Sequence, residues 1–471
     1  MNSSEQGGWL EHGAALCIIG AAVLFSFSHL TETPPTWMDE GIITQVARSV
    51  ATDDYYGIQV APEEFVSAGF VSTSYPVVLP IAQAFRLWGT DLAVARFVMV
   101  VYLALFLLVS YALIARIAGF LTGLLSLILL ATFAPVYGHG INVLGEIPGL
   151  FFFIWGLYAL DTSRTSDRFT YWVGMAFFSF GLFVATKPIF ILVLPALLIG
   201  LFIHMRGRSQ KVRVISVATV ALLVPIIFWV WIQFSGESVS QMLSIYSNPH
   251  SNTLFIAIVE NLRRIGTEVQ PTFMVGLFAV WLLSGMARWW RDEEITVSEI
   301  IAFIFSSLVL LAYVRTMGYY RYFFPAQVFG LLFLPIALGT FLRTARGKML
   351  LLASVIVLAS FNLYATLFDS WVADHRFSTR AAVLREFFSQ QDVKTTYFIY
   401  QAPEVVPFIP SSQFWQFFNV TKTIRIGEES LFALEFALPD ILISDANEKL
   451  STKFYRQTSM VDRYAVYERM K

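Results

Sequence analysis

Trp37-Met38-Asp39-Glu40-Gly41 sets two adjacent carboxylates just after the first apolar segment and just before a stretch of amphipathic pattern. Carboxylates so placed have two uses. Either would cap the following helix and favour its dipole, and either can accept a proton from a reacting hydroxyl. A third acid, Glu146, opens a later apolar run in Gly145-Glu146-Ile147-Pro148. An ionisable group at membrane depth is costly and usually faces a cavity, although an acid in a helix's first turn is also ordinary. The cations that accompany these acids are Lys187 in Thr186-Lys187-Pro188, and Arg315 and Arg321 on either side of Tyr319-Tyr320. Singly, each reads as an interfacial anchor with its stem in lipid and its head in water. As a set they are chemically matched, because acids activate a nucleophile and bases hold a phosphate. His139 and His250 fall on the same predicted face without a tight ligand spacing, which leaves a divalent metal open and implies no other cofactor. Asn419-Val420-Thr421 matches the glycosylation acceptor pattern, a match that chance supplies often.

The elements that must position these residues are membrane helices. The chain has 471 residues, of which 56% are hydrophobic, 16% aromatic and only 14% charged. Such a composition excludes a water-soluble fold for most of the chain, and a net charge of −1 gives no global field to attract nucleic acid. Cys17, the single cysteine, excludes an internal disulfide framework and reads as a small apolar helix residue. Apolar stretches from Ala14 to Leu30 through Met349 to Phe368 predict about eleven transmembrane helices, the first of them a retained helix rather than a cleaved signal. Short loops holding Arg116, Arg164, Arg168, Arg206, Arg208, Lys211, Arg213, Arg288, Arg291, Arg343, Arg346 and Lys348 alternate with long, sparsely basic ones. The positive-inside rule puts the former in the cytoplasm, and with them the N-terminus, so that the C-terminal region lies outside.

The first outer loop, from Thr31 to Asp91, is too patterned to be a plain connection. Ile42, Ile43, Val46, Ala47 and Val50 share one helical face, and Pro76 to Trp88 repeats the pattern from a proline suited to a first turn. Both read as helices lying in the interface, separated by a polar stretch of mobile appearance. After Phe368 the composition turns globular, with a helical pattern at Thr379 to Gln390 and strand-like runs at Thr396 to Tyr400, Asp440 to Ser444 and Tyr464 to Tyr467. The predicted organisation is an all-α multi-pass membrane domain over residues 1–368, followed by a small soluble α/β domain over 369–471.

At these residues the sequence resembles the glycosyltransferase C superfamily, especially the bacterial branch related to protein O-mannosyltransferases and lipid A aminoarabinose transferases. The resemblance rests on Asp39-Glu40; on Tyr75-Pro76, Pro80, Arg86-Leu87, Gly89 and Arg96; and on Gly145-Glu146, Thr186-Lys187-Pro188 and Arg321-Tyr322 with Pro325. These pieces occur in the family's order and on one predicted membrane face. The resemblance implies that a sugar is taken from a polyprenyl monophosphate and passed to a hydroxyl on a lipid, glycan or protein acceptor. It assigns Asp39 as the base, Glu146 as the second-loop acid, and Lys187 and Arg321 to the lipid-phosphate site; Glu40 joins the expected catalytic acids, and Arg315 and Tyr75 join the expected phosphate-binding residues. Tyr75 departs from the family pattern, since relatives often carry a basic residue or His before the proline.

General chemistry agrees with that expectation. A phosphate leaving group needs its charge neutralised more than it needs a proton donor, whereas the acceptor hydroxyl must lose a proton as the sugar carbon becomes cationic. The rival readings are an oligosaccharide ligase or polymerase using a polyprenyl pyrophosphate, a transporter or flippase of lipid-linked sugars, and a catalytically dead binding protein. A transporter needs a polar path to the cytoplasmic side, where the loops offer only short basic anchors.

Overall fold

The computed structural model describes residues 3–61, 64–207, 211–234, 254–316, 319–370, 378–410, 414–417, 438–447 and 454–470. His250 and the Asn419-Val420-Thr421 pattern lie outside the described residues. The membrane part is a bundle that begins with α1 (Ser3–Phe27). Helices α2 (Met38–Thr52) and α3 (Tyr75–Trp88) follow in the first loop, α2 with its polar face (Thr44, Gln45, Arg48, Ser49) buried as well as its apolar one, and then the long α4 (Leu92–Ala118). The next segment breaks into α5 (Phe120–Ala131) and α6 (Ala134–Ile141), bent by 68°. After it come α7 (Glu146–Thr165), α8 (Phe169–Thr186), α9 (Leu194–His204) and α10 (Lys211–Gln233). The last five are α11 (Leu254–Thr267), α12 (Val269–Trp290), α13 (Val297–Val314), α14 (Phe324–Phe341) and α15 (Ala345–Tyr364).

Among the described residues, seven helices are long and apolar enough to cross a bilayer, or eight with the bent pair counted as one span. His12–Phe27 and Pro188–His204 are shorter apolar helices. The apolar stretches of the sequence are therefore helices, but fewer than eleven meet that length and composition by themselves. Proline accounts for one shortening: Pro188 begins a 3-10 segment, Pro188–Val193, before α9. The bundle has an inside and an outside. In α14, 78% of the apolar window is buried by protein, against 17% in α10, so α14 runs through the centre and α10 faces lipid. Phe153 is the hub of the centre, with the rings of Phe183, Phe329 and Phe305 at 4.8, 5.0 and 5.2 Å.

Helix ends are set by recognisable local chemistry. Asp91 accepts from the Ala93 amide at 2.6 Å to cap α4, and Gly119, at φ +87°, makes the reversal into α5 that a side chain would strain. Thr296 and Thr344 cap α13 and α15. Because α7, α8, α13 and α14 each run from one face to the other, the basic loops gather at one end and Glu146, Lys187 and Arg321 at the opposite end. At the basic end Arg116 pairs with Asp161 at 2.7 Å, Arg164 with Glu294, and buried Arg288 with buried Glu299.

Two elements of the membrane part were not read from the sequence. The polar stretch in the first loop is an antiparallel hairpin of β1 (Gly57–Ala61) and β2 (Glu64–Ser67), with Ile58 opposite Val66. Its apolar residues alternate too briefly to stand out, and burial against α2 and α3 supplies what the pattern lacks. The second is α11, whose Asn261 donates to the Tyr313, Val314 and Thr316 carbonyls and so satisfies the end of α13.

The small C-terminal sheet domain opens with α16 (Arg380–Ser389). Its five strands are β3 (Tyr397–Tyr400), β4 (Phe414–Phe417), β5 (Ile441–Asp445), β6 (Tyr455–Val461) and β7 (Tyr464–Arg469), in the order β4-β3-β5-β7-β6. The first three are parallel, and β7 and β6 turn antiparallel. Strands β4 and β6 had no equivalent in the sequence reading, the latter because five of its seven residues are exposed and mostly polar.

Gly181 lets α8 and α10 approach so closely that a Cβ there would sit 2.5 Å from the Leu222 carbonyl oxygen. Gly181→Ala should therefore destabilise the bundle by about 1–3 kcal/mol, measured as a lower midpoint of thermal unfolding in detergent. An unchanged midpoint would show that α10 shifts freely.

Candidate active site

The first turn of α2 carries both Asp39 and Glu40, and the helix turns them to opposite uses. Trp37 takes the N-cap position in extended conformation with no side-chain cap, so neither carboxylate is spent on the helix start. Glu40 points into the protein and is fully buried. Its Oε1 accepts from Arg96 Nε at 2.8 Å and from the Val143 amide at 3.1 Å, and its Oε2 accepts from Arg96 Nη2 at 2.6 Å. Arg96, also fully buried, donates further to the Leu30 carbonyl and to Asn142 Oδ1, each at 2.9 Å. Such a bidentate pair with its remaining donors satisfied is a rigid fastening between the first loop and the membrane helices. It leaves Glu40 without the solvent access that a proton acceptor needs.

Asp39, on the outward side of the same turn, is about one-fifth exposed and pairs with Arg321 Nη1. Arg321 lies in the 3-10 turn Tyr320–Tyr322 that leads into α14. The guanidinium is ringed by aromatic faces, those of Trp37, Tyr322 and Tyr319 at 5.3, 5.5 and 6.0 Å. Burial by itself would lower its affinity for the proton, but the Asp39 and Glu146 carboxylates outweigh it and push the pKa above the usual arginine value. Arg321 is a permanent cation here.

Glu146 is the first residue of α7 and pairs with Lys187, which follows the last turn of α8. Both are nearly buried, and Glu146 Oε2 has no hydrogen-bond partner among the described residues. Three chain segments close around this point. A Cβ on Gly145 would lie 3.1 Å from Thr73 Oγ1 and 3.3 Å from Thr186 Cγ2, and the Ser74 amide donates to the Thr186 carbonyl at 3.1 Å. His139 stacks 4.3 Å from the Phe324 ring, close enough to Glu146, Lys187 and Arg321 to feel all three charges.

Asp39, Arg321, Glu146 and Lys187 thus form one chain of alternating charge, built from residues as much as 282 positions apart. The other sequence candidates stand apart from it. Tyr75 begins α3, and its hydroxyl donates to the Pro225 carbonyl at 3.3 Å while its ring meets Phe228 edge-on at 4.7 Å. Arg315 is exposed just past the end of α13, with no ion pair among the described residues. No group of three or more His, Cys, Asp and Glu is placed to hold a metal among the described residues. What sequence reasoning missed is the fastening role of Arg96 and Asn142. Arg96 had a usable signal, an arginine in the second turn of an apolar helix, where an unpaired charge would be expensive.

The comparisons with known proteins bear on the same segment. The family model described as dolichyl-phosphate-mannose-protein mannosyltransferase matches residues 76–231, which contain Arg96, Gly145-Glu146 and Lys187. Among curated proteins none matches the chain. The fold is similar to the crystal structure of ArnT from Cupriavidus metallidurans bound to undecaprenyl phosphate, with TM-score 0.64 and 12% identity over 98% of each chain. The apo state of the same protein gives 0.62 at 13% identity, over 99% of this chain and 98% of that one. Archaeal oligosaccharyltransferase AglB from Archaeoglobus fulgidus, in complex with an inhibitory peptide and a dolichol-phosphate, gives 0.55 at 11% identity, over 93% of this chain and 70% of the other. The architecture read from the sequence, a multi-pass helical membrane protein with a small C-terminal sheet domain, is the fold of this chain, and it is similar to that of ArnT.

The different settings of the two adjacent acids separate in stability. Glu40→Gln would leave Arg96 buried with a lost carboxylate and should cost about 3–5 kcal/mol, whereas Asp39→Asn breaks a partly exposed pair and should cost less than about 1 kcal/mol. Thermal unfolding of both variants in one detergent measures the difference; equal losses would contradict this division.

Proposed function

We propose that the chain transfers a sugar from a polyprenyl-phosphate-linked donor to a hydroxyl-bearing lipid, glycan or protein acceptor on the outer face of the cytoplasmic membrane. The observation that carries this reading is the alternating chain of Asp39, Arg321, Glu146 and Lys187 at one end of the bundle. It is supported by the family match and by the shared fold, whose solved examples include proteins bound to undecaprenyl phosphate and dolichol-phosphate. Residues 1–368 form the transferase domain and 369–471 an extracytoplasmic domain.

The charges suit the bond changes. A lipid-phosphate sugar is a phosphodiester with one negative charge, and its departing lipid phosphate is a monoester approaching two. Arg321 and Lys187 therefore stabilise the leaving group more than the bound donor, which is the requirement for catalysis rather than mere binding. The acceptor oxygen attacks C1 as the bond from C1 to the phosphate oxygen breaks, and its proton passes to Asp39. A single displacement of this kind inverts the anomeric centre. Each cation is paired with a carboxylate, Arg321 with Asp39 and Lys187 with Glu146. The donor phosphate takes over Arg321, and Asp39 is released as a free base only when the donor is in place.

Asp39→Asn should lower the initial rate of transfer by about 10²- to 10⁴-fold, the usual contribution of a general base, while polyprenyl phosphate binds at least as tightly as to wild type. Arg321→Ala and Lys187→Ala should each weaken that binding by about 1–3 kcal/mol. Both are measured in nanodiscs, following release of lipid phosphate from a panel of polyprenyl-phosphate sugars. Wild-type turnover by Asp39→Asn would remove the central residue of this reading.

Sidedness follows from the basic loops gathered at the end away from Asp39. Protease added to intact spheroplasts should cut the C-terminal domain. Cleavage only after lysis would invert the orientation.

A further inference from the structure

The segment that carries Asp39 is held from two directions. From the membrane side it is fastened by Glu40 on Arg96. From the other side it is held by the C-terminal domain, through contacts that bracket Asp39 in sequence. Arg380 Nη1, at the start of α16, donates to the Thr36 carbonyl at 2.7 Å, and the Ser378 amide donates to the Glu32 carbonyl at 3.1 Å. Beyond Asp39, a Cβ on Gly41 would lie 2.2 Å from the Pro403 carbonyl oxygen, so the segment Pro403–Phe408 rests directly on the first turn of α2. Two turns further, Arg48 Nη1 donates to the Ile409 carbonyl at 2.8 Å, with its guanidinium 4.9 Å from the Phe414 ring.

These contacts are themselves braced. Arg380 Nε donates to Asp462 at 2.7 Å and the guanidinium lies 5.9 Å from the Tyr464 ring. Tyr464 in turn donates to buried Glu404 at 2.9 Å, inside the segment that touches Gly41. Arg380 and the Pro403 carbonyl are therefore parts of one scaffold that meets the Asp39 turn at both of its ends. Arg385, by contrast, is paired with Asp91 at the start of α4 at 3.0 Å and touches the first loop only through Thr31 Oγ1 at 3.4 Å, next to the Ser378 contact on Glu32 and not at the Thr36 carbonyl.

We infer that Arg380 is a positioning residue for Asp39, acting through the Thr36 carbonyl to fix the turn from which the carboxylate projects. The inference rests on the reading of Asp39 as the base, and it makes the C-terminal domain part of the catalytic geometry. A carboxylate displaced by about 1 Å from a reacting hydroxyl can cost about 100-fold in rate, while a donor phosphate held by Arg321 and Lys187 is little affected.

Arg380→Ala, Arg380→Lys and Arg385→Ala are compared in nanodiscs by hydrogen exchange of peptides covering residues 36–48, by undecaprenyl phosphate binding, and by transfer kinetics. The kinetics use whichever polyprenyl-phosphate sugar the wild type turns over. Arg380→Ala should speed exchange in the 36–48 segment several-fold and lower kcat by about 10-fold or more, with KM for the donor and undecaprenyl phosphate affinity within about 2-fold of wild type. Arg380→Lys should recover part of kcat, because it keeps a donor for the Thr36 carbonyl. Arg385→Ala should leave kcat unchanged. Unchanged exchange, unchanged kcat, or equal losses in Arg380→Ala and Arg385→Ala would each overturn the inference. Failure of the base reading shows separately, as turnover by Asp39→Asn.

Discussion

A charge in or near a bilayer must be paired or hydrated, and the end of this protein that carries Asp39, Glu146, Lys187 and Arg321 is organised by that requirement. Glu40 meets Arg96, Asp39 meets Arg321, and Glu146 meets Lys187. The pairs differ in what surrounds them. Glu40 and Arg96 have every strong hydrogen bond satisfied within the protein and no exposure, so nothing from outside competes for them. Asp39 and Arg321 keep about a fifth to a quarter of their side-chain surface open, and Glu146 retains an oxygen without a partner among the described residues. The first pair is therefore a fastening, and the other two are the pairs that the proposed reaction would open to the donor phosphate.

That division lets one helical turn serve two purposes. Asp39 and Glu40 are neighbours in the chain, and helix geometry sends neighbouring side chains about 100° apart. One is drawn beneath the loop by a membrane arginine and the other is left at the water boundary. The burial that locks Glu40 thus holds the turn from which Asp39 would act in the proposed reaction, since a site is only as well defined as the residues that support it. The C-terminal domain adds the second support from above, resting the Pro403–Phe408 segment on Gly41, where a side chain would prevent the approach.

The pairing of Asp39 with Arg321 also gives the proposed reaction an order. A carboxylate engaged by a guanidinium is a poor base, and a guanidinium engaged by a carboxylate is a weaker phosphate ligand. A donor that brings its own phosphate changes both at once. The aromatic faces of Trp37, Tyr319 and Tyr322 keep Arg321 in place during such an exchange, because they hold the cation without using its hydrogen-bond donors.

The sequence by itself determined the parts of this protein that depend on solvent and local pattern. Apolar length gave the helices, the distribution of basic loops gave two faces, and the period of Ile42, Ile43, Val46 and Ala47 gave a helix in the first loop. Asp39, Glu146, Lys187 and Arg321 were legible as candidates because charge beside apolar sequence is expensive and so stands out. Their partnerships were not legible, since Asp39 and Arg321 are 282 residues apart and no local pattern encodes such a meeting. The two acids of the Asp39-Glu40 pair look alike in the chain; only tertiary structure, by burying Arg96 under one and opening the other to the surface, decided which is structural. The same holds for the hairpin β1 and β2 and for the hold of Arg380 on Thr36, whose stability comes from surfaces that exist only once distant segments have packed together.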